Sequence, residues 1–170
     1  MVLKLNGLSN IEIAVISKLE FDEKYFFTAE DIDRFTENKT QRYNIIKNIV
    51  KKGRILKINR KKYYLVPIKA KSGSWSEHPF VIADEILDGK DYVIGGWAAA
   101  NYWRLTDQIP FQVDVWTTRR QGKLEVMNTR FVFHRSTKNK VGNYATQKIG
   151  DKTFRIMPKE ESRKWIKSRI

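Results

Sequence analysis

The chain has no cysteine, which excludes a disulfide framework, a thiolate zinc site and an iron–sulfur cluster and fits a reducing compartment. Only two histidines, His78 and His134, are present, too few to build a multi-histidine metal site. No stretch approaches the roughly 18 uninterrupted apolar residues of a transmembrane helix, and the opening MVLKLNGLSN is too short and polar for a signal peptide. The expectation is a soluble, cytoplasmic protein with no membrane partner. Internal repeats and low-complexity tracts are also missing. The most informative absence is of acid. Between Asn38 and Ser76 there is no Asp or Glu, yet that window holds twelve basic residues, from Lys39 and Arg42 through Lys69 and Lys71. Ordinary surfaces intersperse both signs, so the window reads as a polyanion footprint. The plainer alternative is a solvated face of a protein that is basic throughout.

What is present supports folding. The 170 residues carry a net charge of +14, with 41% hydrophobic and 12% aromatic side chains, enough apolar surface to offset ordering entropy. That length accommodates two modest domains.

Ser9 with Glu12 forms a capping-box pattern ahead of an apolar stripe of Ile11, Val15, Ile16 and Leu19, predicting a helix to about Leu19. Phe21 to Phe27 reads as a loop or short extended segment, and Thr28 with Asp31 caps a short helix ending near Phe35. A third helix is expected from Lys39 or Thr40 to Gly53, a C-terminal glycine preceded by Lys51 and Lys52. Arg54–Ile58 and Lys62–Val66 then read as a hairpin closed by Pro67. Three helices followed by a hairpin is the order of a winged helix-turn-helix domain.

On a helical wheel Ile46, Ile49 and Val50, flanked by Ile45 and Tyr43, share one side of the third helix. Thr40, Gln41, Asn44, Lys47, Asn48 and Lys51 share the other. Asn and Gln can pair bidentately with adenine in the major groove, and Lys reaches guanine or phosphate; an ordinary solvent-facing helix would mix in acids for i,i+4 pairing. The hairpin tip Arg60-Lys61-Lys62 is placed to touch the minor groove or nearby phosphates. Tyr63 and Tyr64 are expected to split between core and surface.

The polar run KAKSGS, Lys69 to Ser74, marks the domain boundary, giving a winged helix-turn-helix domain over residues 1–69 and a C-terminal α+β domain over 70–170. In the second half, Pro79 opens a helix from about His78 to Leu87. Tyr92–Ile94 is a strand running into Gly95-Gly96 and a helix from Trp97 to Trp103. Gln112–Thr118, Lys123–Val126 and Arg130–His134 are further strands, and a basic helix-like segment carrying Trp165 follows Pro158.

A Gly-Gly turn opening a helix, followed by a strand bearing an acid, resembles the order of nucleotidyltransferase-fold proteins. Those proteins need at least two converging carboxylates for magnesium and nucleotide phosphates. Here the strand reads Val113-Asp114-Val115-Trp116 and the second acid is missing, so Gly95-Gly96 reads as a packing turn on an inactive scaffold. No catalytic residue, metal ligand or cofactor is expected. His78 and His134 have no Asp or Ser partner by spacing, and Trp75, Trp97, Trp103 and Trp116 read as core. Arg119, Arg120 and Lys123 either form a phosphate-holding cluster or a solvated loop.

Three segments, GRILKINRKKYYLVP (Gly53 to Pro67), SWSEHPFVIADEIL (Ser74 to Leu87) and above all DYVIGGWAAANYWRLTDQIPFQVDVWTT (Asp91 to Thr118), resemble the AbiEi antitoxin family. The resemblance covers roughly Ser9 to Phe154. It implies a winged-helix repressor of its own operon, bound to double-stranded operator DNA. It also implies an antitoxin against a nucleotidyltransferase-like toxin in a type IV toxin–antitoxin, phage-defence operon, acting without a stable toxin complex. The antitoxin role rests on this resemblance alone, with Arg119, Arg120 and Lys123 as its candidate surface. Members often continue past the helix beginning near Pro158, so the resemblance implies a short member or one lacking a C-terminal portion. The competing reading is a nucleotidyltransferase-fold enzyme with a winged-helix nucleic-acid anchor. An RNA-binding module is disfavoured by the lack of a GXXG clamp or of exposed sheet aromatics.

Overall fold

The computed structural model describes residues 7–67, 77–126 and 128–169. It is a mixed α+β chain that divides into two compact units, residues 1–76 and 77–170. The boundary expected at Lys69 to Ser74 lies outside the described residues, as does Trp75.

In the first unit, α1 (Asn10–Phe21) starts where the sequence places it: the Ser9 hydroxyl accepts the Glu12 N–H and Glu12 accepts the Ser9 N–H at 2.6 Å. Its Val15, Ile16 and Leu19 are buried, with Ile11 half-buried beside them. The segment after α1 ends in a strand, β1 (Phe26–Thr28), and Thr28 with Asp31 caps a 3-10 helix (Ala29–Phe35) rather than an α-helix. Only Ile32 of that helix is buried, and such short one-sided segments commonly take the tighter winding. α2 (Lys39–Lys51) follows, its N-terminus held by the Asn38 side chain, which accepts the Gln41 N–H at 2.9 Å. Gly53, at φ 71°, ends it in the left-handed region that favours glycine.

The hairpin is β2 (Ile55–Lys57) and β3 (Lys62–Leu65), and β1 joins it to give an antiparallel sheet in the order β1-β3-β2. The expected split of Tyr63 and Tyr64 between core and surface is not seen: Tyr64 is buried, and Tyr63 is half-buried against the core cluster that includes Leu65. The core of this unit gathers the α1 stripe, Ile32, Ile45, Ile46, Ile49, Phe27, Ile55 and Leu65.

The second unit is a six-stranded mixed sheet, in which β4 (Tyr92–Gly95) and β5 (Gln112–Thr117) are central and antiparallel to each other. β7 (Thr129–Arg135) runs parallel to β5 and inserts between it and β6 (Gly122–Val126), while β9 (Lys152–Ile156) runs parallel to β4 and carries β8 (Ala145–Ile149) at the far edge. Among the described residues four helices complete it: α3 (Pro79–Ile86), α4 (Gly96–Tyr102), α5 (Lys138–Gly142) and α6 (Lys159–Lys167). α3 packs on β9, and α4 packs on α6 and β5. Phe80, Tyr102 and Phe154 interlock with centroids 5.2 to 5.8 Å apart. The buried Tyr92 hydroxyl donates to Asp84 at 2.6 Å and accepts the Arg155 N–H at 2.9 Å, and burial holds its pKa far above the ordinary phenol value. No helix among the described residues is long and apolar enough to cross a membrane.

Candidate nucleic-acid interface and an aromatic cleft

On α2 the buried positions are Ile45, Ile46 and Ile49, so the apolar centre is rotated toward Ile45 from the one expected. Val50 is consequently half-buried, and Tyr43 is 64% exposed rather than in the core. The opposite side carries Thr40, Asn44, Lys47, Asn48 and Lys51, all exposed. Lys47 and Lys51 make no ion pair among the described residues. Gln41 is the exception on this face: it is half-buried, and its Oε1 accepts the Glu37 N–H at 2.7 Å. Thr40, Gln41, Asn44 and Asn48 line one shallow groove together with two acids, Glu12 and Glu37, that lie outside the acid-free window in sequence.

The hairpin tip is ordered by Asn59, whose Oδ1 accepts the Lys61 N–H at 2.8 Å and the Lys62 N–H at 2.7 Å. That Asx-type turn leaves Arg60 and Lys61 exposed and Lys62 half-buried. Three basic residues of the window are not available as a footprint. Arg42 bonds to Asp33, Lys52 bonds to Glu12 at 2.6 Å, and Arg54 is 2% exposed with Glu20 at 3.9 Å. Burial pushes the Arg54 pKa down, against the attraction of Glu20. Among the described residues the exposed basic set therefore narrows to Lys39, Lys47, Lys51, Lys57, Arg60 and Lys61, with half-buried Lys62 beside them.

The second unit holds a cleft of about 370 Å³ whose lining includes Trp97, Trp116, Trp165, Asp114 and His134. This corrects two expectations. His134 does have an acidic partner: parallel pairing of β5 and β7 sets Trp116 opposite His134, and the His134 Nε2 lies 2.7 Å from Asp114 Oδ1. Gln112 Nε2 donates to the same oxygen at 3.0 Å. Twenty residues separate Asp114 from His134, so no spacing rule could have joined them. Trp97, Trp103 and Trp116 are half-buried rather than core. Trp103 donates its indole N–H to the Met157 carbonyl at 2.8 Å, whereas Trp97 and Trp116 face the cleft.

Gly95 and Gly96 form a turn of close approach. A Cβ on Gly95 would sit 2.5 Å from the Trp116 ring, and one on Gly96, already at φ 61°, would meet Asp114 Oδ2 at 3.1 Å. Among the described residues no cluster of three or more His, Asp or Glu is placed to hold a metal ion. Arg119, Arg120 and Lys123 do not converge: Arg119 bonds to the Leu87 carbonyl with Asp88 3.7 Å away, Arg120 lies over the Phe133 ring, and Lys123 is exposed on β6. His78 caps α3, its Nδ1 accepting the Phe80 N–H at 3.2 Å.

No protein-family model matches the chain, and no curated protein matches it significantly. Among solved structures it is similar to the RV2827C protein from Mycobacterium tuberculosis, with a TM-score of 0.56 and 14% identity over 82% of this chain. The chain spans 50% of that structure's length. At this identity the likeness concerns the fold alone.

Proposed function

We propose that the chain is a winged helix-turn-helix transcriptional regulator that lays α2 in the major groove of double-stranded DNA and sets the β2–β3 tip against the flanking phosphates. The observation that carries this reading is the exposed side of α2, where Asn44, Lys47, Asn48 and Lys51 lie together with no carboxylate of the helix itself among them. Amides suit base edges and lysines suit phosphate or guanine. The 3-10 helix and α2 supply the helix pair, and the three-stranded sheet supplies the wing. Following the resemblance to AbiEi antitoxins, we further propose that the chain represses its own operon and counteracts a nucleotidyltransferase-like toxin without a stable complex. The second unit, a nucleotidyltransferase-like scaffold without an acidic pair, would carry the antitoxin role and would not itself be an enzyme.

The enzyme alternative is favoured by one observation, the Gly95-Gly96 turn set against Asp114. It is disfavoured by the company Asp114 keeps, since its near neighbours are an imidazole and an amide rather than a second carboxylate. The test is binding to the DNA upstream of the chain's own reading frame. Lys61→Ala with Lys62→Ala should weaken binding to every sequence, whereas Asn44→Ala or Asn48→Ala should chiefly reduce sequence preference. Binding no tighter than that of an equally basic unrelated protein would refute the reading.

A further inference from the structure

We propose that the cleft between Trp97, Trp116 and Trp165 binds an unpaired nucleobase with its adjoining phosphate, either a free nucleotide or the end of a single strand. Its volume of about 370 Å³ falls in the small-molecule range of roughly 300–1,000 Å³, enough for one nucleotide and too little for a duplex. Three half-buried indoles meet at this one place, with Phe111, 76% exposed, at the mouth. One Trp116 face is stacked on His134 and Trp97 meets Trp165 edge to face, so a base would stack on the half-buried indole surface outside those contacts, as bases do without regard to sequence.

The floor supplies base-edge chemistry. Asp114 is held in place by Gln112 and His134, and a carboxylate accepts up to about four hydrogen bonds, leaving capacity for an exocyclic amine or ring N–H. Arg169 lines the cleft, its guanidinium 5.5 Å from the Trp165 ring centroid, and makes no ion pair among the described residues; Lys140, outside the lining, lies 5.4 Å from the Trp116 ring centroid. The unit as a whole carries seventeen Lys and Arg against eleven Asp and Glu. Among the described lining residues Arg169 is the one Lys or Arg and Asp114 the one acid, so the cleft offers an acceptor for a base N–H and a guanidinium for a phosphate. A phosphate next to a stacked base satisfies both features.

The site lies wholly in the second unit and does not depend on DNA binding by the first. The test therefore uses the full chain carrying Lys61→Ala and Lys62→Ala alongside the unmodified chain. Indole N–H signals are followed by NMR during titration with nucleoside monophosphates, the corresponding nucleosides, a short single strand, maltose and choline. The Trp97, Trp116 and Trp165 signals should move with nucleotide while that of Trp103, tied to Met157, holds still. Exposed Arg169→Ala should weaken monophosphate binding about tenfold and leave nucleoside binding unchanged, and Trp165→Leu should weaken both. Response to the monophosphate alone would identify a free nucleotide, and tighter response to the single strand would identify a strand end. Silence at millimolar nucleotide, equal response to maltose or choline, or monophosphate binding unaffected by Arg169→Ala would overturn the proposal.

Discussion

Replacing Glu12 by alanine is expected to destabilise the first unit by about 2–3 kcal/mol. The carboxylate is 2% exposed, and a single oxygen accepts both the Ser9 N–H and the Lys52 ammonium at 2.6 Å, tying the start of α1 to the end of α2. Loss of the capping box accounts for about 1 kcal/mol. A hydrogen bond to a charged group adds about 1.5–3 kcal/mol, and the lower half of that range applies because the Lys52 side chain, 36% exposed, regains water once the carboxylate is gone. Glu12→Gln keeps an acceptor for Ser9 and loses only the charge, so it should cost about half as much. Burial alone would raise the Glu12 pKa, but the bonds from Lys52 and Ser9 outweigh it and hold the carboxyl below the ordinary glutamate value. The stabilisation is therefore complete above the unfolded value of about 4.3 and is lost as pH falls through the lower folded value. Hydrogen exchange of peptides covering α1 and α2 is the suitable assay, since two units need not unfold in one transition. Both variants lying within about 0.5 kcal/mol of the parent, or a difference that persists unchanged well below the folded pKa, would refute the reasoning.

Gly95→Ala should cost about 1–3 kcal/mol by overpacking, because the new methyl would meet the Trp116 ring at 2.5 Å and that ring is stacked on His134; thermal unfolding followed by tryptophan fluorescence measures it. Incubation with labelled nucleotides and magnesium should leave RNA and protein unlabelled, and label transfer abolished by Asp114→Asn would promote the enzyme reading. Fragments 1–76 and 77–170 should separate the proposed activities, DNA binding with the first and protection from the adjacent toxin with the second, scored as promoter activity and growth in co-expression. Protection that survives joint Arg119→Ala, Arg120→Ala and Lys123→Ala would remove that surface from the antitoxin account.

Local signals in the sequence were legible because they act over a few residues. Ser9 with Glu12, Thr28 with Asp31, Pro79 at the first turn of α3 and the alternation of Gln112 to Thr117 each state a cap or a face by themselves. What could not be read depends on pairing across the fold. β1 is three residues long and is a strand because β3 pairs with it. β8, β9 and α5 fall in a polar stretch where β8 lies at a sheet edge with no residue fully buried. The Asp114–His134 contact follows from the parallel β5–β7 register, and the half-exposure of Trp97 and Trp116 is decided by neighbours that sequence does not place. In α2 the apolar set was legible but its centre was not, since a rotation of some tens of degrees is enough to move Tyr43 into solvent.

Salt dependence of affinity tests DNA recognition most directly. If Lys47, Lys51, Arg60, Lys61 and Lys62 each meet a phosphate, log affinity should fall with log salt at a slope of about −4 to −5 per protomer, and each alanine replacement among them should reduce it by about one. A slope near zero, or a steep slope left unchanged when these residues are replaced, would contradict the account.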